Sequence, residues 1–507
     1  MAADIMQRRW EWDEFLRMRK EVLARWPTGQ EVDLDEAVAY QREIPKHKNF
    51  ALTVLRAKSE GITLAQPRGG FATVEEQIAL LKCLQDQGGA DLLPLTTDSY
   101  TRNERFAEAQ RGLAQSVSAG RSLLNGLPLV NHGVKAVRRI SEAVEKPTMV
   151  LSGTSRPCLT AEIGLAGGAT GFLGGGISYT LSYTKELPIA EGIRNYQYLD
   201  RLCAHYWEQG VPVHREQPGF LTGTLIPPGL GVAIAVIETL LGVEQGLPHY
   251  SVGLGQALSA AQDVAALRAL EGVCREYLER FGFGATTLTI ASHQWMANFP
   301  QDEAQAAGVI ALGAVIAGTA GVTQVITKSV HEAVGIPSVE VNAAGVRLTQ
   351  QVLRLLEGWR LPVDRDLETE EAMIAAEARA ILDRTLDLGD GDWALGAVRA
   401  VEAGVIDVPW SPSRFNAGKA LPGRDRFGAV RYLTHGDIPV PPEVLEYHRS
   451  KLADRSGGGS SGMMSERLLA DLTAVSRSVS ANFGPGGWRD FADYAAFLRR
   501  REPQAGR

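Results

Sequence analysis

The residue types best suited to chemistry stand in the stretch GGATGFLGGGISYTLSY, residues 167–183. Three consecutive glycines, 174–176, precede Tyr179 and Tyr183. Glycine carries no side chain, so a large molecule can approach the backbone closely there. Residues four apart lie on one face of a helix, so the two tyrosines would present their hydroxyls together. The other interpretation, a flexible loop before a packed helix, is the commoner outcome for so short a motif.

Two arginines, Arg68 in AQPRGG and Arg102 in DSYTRNER, each follow a predicted strand. A guanidinium binds a carboxylate through paired hydrogen bonds. Two such groups at one edge of a sheet predict a site for a dicarboxylate, or for an acid that is anchored twice. The alternative is an ordinary surface salt bridge, which is common and contributes little to stability.

Two further groups stand where later predicted strands end. His293, Trp295 and Phe299 would form a flat apolar wall suited to a planar ring, although a lone histidine is often structural. Lys328 and Glu332 could bind two hydroxyls at the start of a helix, whereas most pairs with this spacing are solvated. The sequence has no HExxH motif, no GxSxG motif between a predicted strand and a helix, and no cluster with metal-ligand spacing. Binding groups without a nucleophile predict chemistry that a cofactor supplies.

Short β-rich runs alternate with helical segments from about residue 36 onward. Eight or nine such units within about 300 residues favour a closed parallel (β/α)₈ barrel over an open sheet. The predicted strands are 61–66, 90–97, 127–131, 148–153, 171–175, 211–216, 249–255, 287–294 and 323–329. The carboxyl ends of barrel strands share one rim, so the candidate residues would meet there.

The predicted fold class is α/β, a TIM barrel with additions at both ends. The barrel spans residues 36–360, after a helical extension over 1–35. A smaller C-terminal α+β lobe follows over 361–455, because the sequence there becomes acidic and helical and then rich in Pro and Gly. Residues 456–462 predict a flexible linker, and 463–507 a helical tail.

The composition indicates which kinds of binding partner and which cellular compartment to expect. The chain has 507 residues, a net charge of −7 and 52 Lys and Arg spread along it, which argues against nucleic acid and acidic membranes. The N-terminus lacks an apolar signal segment and the four cysteines lie far apart, which favours a cytoplasmic protein. Two uncharged runs, 217–237 and 304–327, approach the length of a membrane span. Prolines or glycines interrupt both, so we expect buried helices and strands instead.

Longer motifs resemble those of the large catalytic subunit of glutamate mutase, also called methylaspartate mutase. The similarity covers about residues 20 to 450 and includes RWPTGQEVDLDEAV, GITLAQPRGG, GGGISYTLSYTK, LTGTLIPP, HQWMANFPQDE, HEAVGIPSVEVNAAG and FNAGKALPGRD, in the family's order. The resemblance implies an isomerase that depends on adenosylcobalamin and rearranges a carbon skeleton by radical chemistry. It also implies a small cobalamin-binding subunit with a DxHxxG motif, which this chain lacks, in a heterotetramer built on a homodimer of large subunits.

The resemblance implies roles for individual residues. Arg68 and Arg102 match two of the family's three substrate-carboxylate arginines, and Tyr179 and Tyr183 match its substrate-contacting tyrosines, the catalytic candidates. The positions that match residues holding the adenosyl part of the cofactor are Gly70, Asn125, Ser182, Phe299, Lys328, Glu332 and Ile336.

Two changes distinguish this chain from the family pattern. Leu151 and Ser152 stand where the family has its third arginine and a histidine, and Leu173 stands where it has the glutamate that receives the substrate amine. An ammonium left without a partner would cost about 1–3 kcal/mol. We therefore expect a related acid as substrate in place of free L-glutamate, unless Arg156 reaches back to compensate.

Two other functions stay open at this point. One is a barrel lyase or aldolase-like enzyme that works without cobalamin and uses Lys328 as a catalytic amine. The other is a scaffold subunit that has lost its chemistry, against which the retention of Lys328, Glu332 and Asn125 speaks.

Overall fold

The computed structural model describes residues 5–220, 225–359, 364–453 and 464–476. Its centre is a sheet of eight parallel strands in the order β1-β8-β7-β6-β5-β4-β3-β2. The strands are β1 (Leu64–Gln66), β2 (Leu93–Thr96), β3 (Thr148–Leu151), β4 (Gly171–Leu173), β5 (His214–Gln217), β6 (His249–Gly255), β7 (Thr287–His293) and β8 (Gln324–Ile326). This order confirms the predicted (β/α)₈ barrel.

Individual hydrogen bonds bring the two end strands together. The backbone N–H of Asp91, just before β2, donates to the carbonyl of Ala65 in β1 at 3.1 Å. The Asp91 carboxylate in turn accepts from the N–H of Ala65 at 3.0 Å. The sheet is therefore nearly closed into a barrel.

Eight of the nine predicted strands are present, and the one predicted over 127–131 is wrong. Leu127 makes a single bridge to Thr97, and a helix then begins at Leu129. The reason is Pro128, which has no N–H to donate to a ladder and suits the start of a helix instead.

Helices surround the barrel and extend it at both ends. They are α1 (Trp12–Leu23), α2 (Leu34–Glu43), α3 (Phe50–Glu60), α4 (Val74–Asp86), α5 (Ser99–Arg102), α6 (Phe106–Ala119), α7 (Leu129–Glu142), α8 (Cys158–Ala166), α9 (Ser178–Tyr183), α10 (Ile189–Glu208), α11 (Pro228–Glu244), α12 (Ala260–Arg280), α13 (Glu303–Ala320), α14 (Val339–Leu355), α15 (Arg365–Leu388), α16 (Trp393–Glu402), α17 (Pro442–Ala453) and α18 (Met464–Leu472). Two 3₁₀ turns, Pro27–Glu31 and Lys46–Lys48, connect the N-terminal helices.

The N-terminal segment packs on the barrel through aromatic side chains. Phe15 of α1 stacks on Tyr198 of α10 with ring centroids 4.8 Å apart, and Trp10 meets the same ring edge-on at 6.4 Å. Phe15 and Tyr198 are fully buried. Aromatic burial of this kind stabilises the contact, so the N-terminal helices and α10 share one core.

The C-terminal region adds an antiparallel hairpin of β9 (Leu421–Arg424) and β10 (Val430–Thr434). Helix α15 packs along α11 and α12 of the barrel. Arg431 of β10 joins hairpin and helix, because it donates twice to Glu370 of α15, at 2.7 Å each. The predicted linker, 456–462, lies outside the described residues, as does most of the predicted tail. The domain boundaries stay a prediction.

Residues 228–237 of the first apolar run lie in α11, and residues 304–320 of the second lie in α13. All but the ends of α11 are buried. Helix α13 is, by length and composition, the one described helix apolar enough to cross a membrane, and 33% of it is buried. It packs against α12 and α14. All four cysteines are free thiols, in agreement with the expected absence of a disulfide framework.

Candidate functional site

Arg102 is fixed at the carboxyl end of β2 by its local structure. The Asp98 side chain accepts from the backbone N–H groups of Tyr100 and Thr101 and so starts the short helix α5. The Arg102 Nε then donates to the carbonyl of Thr97 at 2.9 Å. Burial lowers the pKa of Arg102, and the nearby charge of Arg68 lowers it further. Its two terminal nitrogens donate no hydrogen bond to the described part of the chain.

Arg68 lies two residues beyond the end of β1. Among the residues that the structure describes, its side chain makes one contact of hydrogen-bond type, from Nη1 to the sulfur of Met296 at 3.7 Å. Neither Arg68 nor Arg102 has a carboxylate partner among the residues that the structure describes. Two neighbouring cations without a counter-ion favour the binding of an anionic ligand.

Tyr179 and Tyr183 lie on α9 beside these arginines. Their ring centroids are 5.0 Å apart in an edge-to-face arrangement. Tyr179 is 5% exposed and Tyr183 is 40% exposed. Burial raises the pKa of both phenols, and Arg68 and Arg102 only partly offset it, so both hydroxyls stay protonated and can donate. The structure thus brings together the two arginines and two tyrosines selected from the sequence.

The glycine triplet before α9 is required by packing inside the chain. A Cβ at Gly174 would lie 2.0 Å from the Tyr196 hydroxyl, and one at Gly175 would lie 2.4 Å from the Glu238 carboxylate. A Cβ at Gly176 would lie 2.9 Å from the carbonyl of Gly192. The predicted close approach therefore involves α10 and α11 of this chain.

Glu238 was missed by the sequence analysis, although it stands alone as a charge in the apolar run of α11. Its carboxylate accepts from the N–H groups of Ile177 and Ser178 at 2.6 and 2.8 Å, and from the Ser178 hydroxyl. Burial raises the pKa of Glu238. These bonds fix the first turn of α9 and hence the direction of its tyrosines.

The two positions that depart from the resembled pattern are neighbours. Leu151 of β3 and Leu173 of β4 are register partners, and each is 1% exposed. The Ser152 hydroxyl donates to the carbonyl of Leu173 at 2.9 Å, so it stabilises the strand ends. Arg156 does not contact them, because it pairs at 3.8 Å with both Glu104 and Glu191.

Glu216 of β5 is the next register partner of Leu173. Its buried carboxylate accepts from Nε2 of His293 at 3.1 Å, from Nε2 of His214 at 3.4 Å and from the Gln324 amide at 2.9 Å. Although burial opposes ionisation, the hydrogen bonds from both histidines lower the pKa of Glu216 to about 2. An ionised carboxylate therefore lies inside the barrel beside the apolar pair.

The predicted apolar wall is wrong as an exposed surface. His293 points into the barrel toward Glu216. Trp295 is fully buried, and with Phe299, at 5% exposure, it packs in a small separate core against Ala306 and Ile310. The apolar character of these rings is used in packing.

Lys328 and Glu332 form an ion pair at 2.8 Å beyond β8. Their side chains are 13% and 25% exposed, so the pair is sheltered. Burial lowers the pKa of Lys328, which Glu332 partly restores. Val334 and Ile336, just beyond, are 61% and 44% exposed. A sheltered polar pair thus borders an exposed apolar strip.

The other positions predicted to contact a cofactor lie around the same rim. A Cβ at Gly70 would lie 2.4 Å from the carbonyl of Thr96 and 2.9 Å from the Cα of Gly126, which places Gly70 beside Asn125 in space. Asn125 is exposed, and Ser182, between the two tyrosines, is half-buried. No described contact assigns a role to these three residues.

Comparison with known proteins matches the geometry. The family model for the methylaspartate mutase E chain covers residues 44–480. The chain belongs to this family. It is 49% identical over 476 residues to the glutamate mutase epsilon subunit of Desulfitobacterium hafniense, a span that covers 94% of this chain and 98% of the relative.

Other members of the family are similarly close. The chain is 46% identical over 466 residues to the glutamate mutase epsilon subunit of Treponema denticola, with 92% and 96% of the two chains covered. It is 42% identical over 467 residues to that of Haloarcula marismortui, with 92% and 94% covered. Membership in the methylaspartate mutase E chain family therefore extends over nearly the whole chain.

Proposed function

We propose that this chain is the large catalytic subunit of an adenosylcobalamin-dependent carbon-skeleton mutase, an isomerase, whose substrate is a carboxylic acid other than free L-glutamate. The observation that carries the proposal is that Arg68 and Arg102, which have no carboxylate partner among the described residues, lie beside Tyr179 and Tyr183.

The arginines would bind the carboxylate of the acid. Arg102 is already oriented by its bond to Thr97, so little rotational freedom is lost when its terminal nitrogens engage an anion. The tyrosine hydroxyls stay protonated and would donate to substrate oxygens. Together they hold the acid in one orientation, which a rearrangement within a single molecule requires.

The leucines set the specificity. Leu151 and Leu173 are register partners and present adjoining apolar surface at the ends of β3 and β4. An ammonium placed against this surface without a carboxylate partner would cost about 1–3 kcal/mol. Free glutamate should therefore bind less well than an acid that is less polar or masked at that end.

Lys328 and Glu332 fit the adenosyl part of the cofactor. Their ammonium and carboxylate can bind two adjacent hydroxyls, and the exposed Val334 and Ile336 offer apolar surface for a ring. When bound, adenosylcobalamin would supply a carbon-centred radical that abstracts a substrate hydrogen. The residues of this chain would bind and orient the acid and exclude water from the barrel.

A small cobalamin-binding subunit with a DxHxxG motif would be the partner, because this chain has no such motif. The exposed strip formed by Val334 and Ile336 would be part of the covered face. A complex built on two large subunits, in the cytoplasm, belongs to the same proposal.

The experiment that tests the function combines the full chain with a cobalamin-carrying small subunit and adenosylcobalamin. Glutamate conversion to 3-methylaspartate is then followed for the natural chain and for a variant with both Leu151→Arg and Leu173→Glu. We expect little turnover by the natural chain and a gain by the double variant. Efficient conversion of glutamate by the natural chain would contradict the altered specificity, and failure to bind the cobalamin-carrying subunit would contradict the mutase.

The lowered pKa of Lys328 favours one second candidate, a lyase that forms an imine with its substrate. Borohydride reduction in the presence of a carbonyl substrate distinguishes the two. A substrate-dependent mass increase on Lys328 would support the lyase, whereas an unmodified lysine together with cobalamin-dependent turnover would support the mutase.

A further inference from the structure

His293 is held in the barrel by a continuous set of contacts. A Cβ at Gly253 would lie 3.4 Å from Cδ2 of the His293 ring, an ordinary van der Waals distance, so the ring packs against β6 at this glycine. At its far end, Nε2 lies 3.1 Å from the Glu216 carboxylate. The ring position is thus fixed by its neighbours on both β6 and β5.

This bond determines which ring nitrogen carries the proton. Glu216 is ionised and accepts only, so Nε2 of His293 must be the donor. Burial, opposed by Glu216 and assisted by the charges of Arg68 and Lys328, lowers the pKa of His293, which keeps the ring neutral. A neutral ring with its proton on Nε2 leaves a lone pair on Nδ1.

That lone pair has no partner among the described residues. His293 is 1% exposed and its Nδ1 makes no hydrogen bond there. Cδ2 faces Gly253 in β6, so Nδ1 lies on the opposite ring edge, toward β8. His293, Ile326 and Gln66 are register partners across β7, β8 and β1, and Lys328 and Arg68 each follow two residues later. Nδ1 therefore lies beneath the two candidate binding groups.

We propose that His293 is a substrate-binding residue whose Nδ1 accepts a hydrogen bond from an uncharged donor, a hydroxyl or an amide N–H, on the bound acid. This inference rests on the proposed function and narrows its substrate class. The Glu216 carboxylate already accepts from His293, His214 and Gln324, whereas Arg68 and Lys328 add positive charge around the ring. The lone pair on Nδ1 therefore accommodates a neutral donor better than an ammonium. Leu173, the register partner of Glu216, leaves no carboxylate of its own to offset that preference.

The test measures binding by calorimetry to the full chain in complex with its small subunit, without turnover. Four probes differ at one carbon: glutarate, 2-hydroxyglutarate, N-acetylglutamate and glutamate. A hydrogen bond of ordinary strength predicts that the hydroxy or N-acetyl acid binds about tenfold more tightly than glutarate, and glutamate no better than glutarate. Glutamate as the tightest ligand, or equal affinity for all four, would overturn the inference.

Substitutions separate a binding role from a structural one. His293→Gln places an amide where Nε2 lies, so Glu216 keeps a donor while the acceptor at Nδ1 is lost. It should remove the tenfold preference and leave glutarate binding unchanged. His214→Gln is the matched control. His214 also donates to Glu216, and its Nδ1 likewise has no partner within the described ranges, but its ring packs on Phe50 at 4.7 Å.

The outcomes distinguish the two proposals. Loss of the preference in His214→Gln as well, or equal weakening of all acids by His293→Gln, would assign His293 a structural role and overturn the inference alone. Binding of no acid, or binding that Arg102→Met does not weaken, would contradict the acid site and with it the proposed function. If His293→Gln does not fold, the four-probe comparison with the natural chain still decides.

Discussion

The guanidinium of Arg102 occupies the space into which a side chain at Gly153 would project. A Cβ at Gly153 would lie 3.1–3.2 Å from Nη1, Cζ and Nε of Arg102. The glycine also has a φ of +57°, which other residues adopt at a cost. The turn after β3 therefore leaves room for the arginine at the end of β2.

This relationship predicts that Gly153→Ala weakens acid binding, because the methyl group must displace the Arg102 head group. Gly120→Ala is the matched control, since Gly120 has a φ of +61° and nothing within 4 Å of its Cβ position. Both variants should lose about 1 kcal/mol of stability through backbone strain. Only Gly153→Ala should raise the dissociation constant for glutarate, and equal constants for both variants would contradict the contact.

Substitutions at Leu151 and Leu173 should have non-additive effects on stability. They are register partners, so the arginine and glutamate of Leu151→Arg and Leu173→Glu would be adjacent and could pair. Each single change buries an unpartnered charge and should lower the thermal midpoint more than the double change does. A double-mutant cycle on stability measures this coupling. Strict additivity would mean that the two side chains do not meet.

Alanine substitutions at two glycines, Gly175 and Gly272, should have opposite effects on stability. Gly175→Ala should be strongly destabilising, because its Cβ would lie 2.3 Å from the Ser178 hydroxyl and 2.4 Å from the Glu238 carboxylate. Gly272→Ala, on the exposed side of α12 with nothing within 4 Å, should stabilise the chain by about 0.5–1 kcal/mol through helix propensity. Chemical denaturation measures both. A neutral Gly175→Ala would contradict the packing account of the triplet.

Periodicity was sufficient to predict the barrel and the rim residues from the sequence. Strand and helix repeats depend on local burial patterns, so eight strands were found within a few residues of their bounds. Arg68 and Arg102 were found because polar residues after barrel strands share one rim, and Tyr179 and Tyr183 because their spacing after the glycine triplet places them on one helical face. The strand predicted over 127–131 was wrong because the apolar residues around Leu127 resemble a strand, whereas Pro128 begins a helix.

The contacts between buried side chains that are distant in the chain could not be predicted from the sequence. The bond between His293 and Glu216 joins residues 77 positions apart, on strands β7 and β5 that β6 separates. The role of Glu238 in fixing α9 likewise depends on how α11 packs on β5 and β6. No local pattern encodes such distances, and the wall of aromatic residues failed for the same reason.

Two glutamates on α15 predict opposite dependences of stability on pH. Burial, only partly offset by the hydroxyl of Tyr432, raises the pKa of Glu377 from 4.5 to about 7. The stabilising contribution of protonated Glu377 is therefore complete below about pH 4.5 and is lost as the pH rises through about 7. The loss of stability amounts to at most about 3 kcal/mol. Glu377→Gln should consequently gain stability relative to the natural chain across that range.

Glu370 supplies the matched control with the opposite sign. Although burial opposes ionisation, the two bonds from Arg431 lower the pKa of Glu370 below 4.5. Its contribution is present above pH 4.5 and is lost as the pH falls through the folded-state pKa. The stability that Glu370→Gln loses relative to the natural chain should thus become smaller in acid. The stability that Glu377→Gln gains should become smaller there too. Denaturation midpoints from about pH 2 to 8 measure both slopes, and parallel profiles for the two variants would contradict the assignment, because only opposite proton affinities make them diverge.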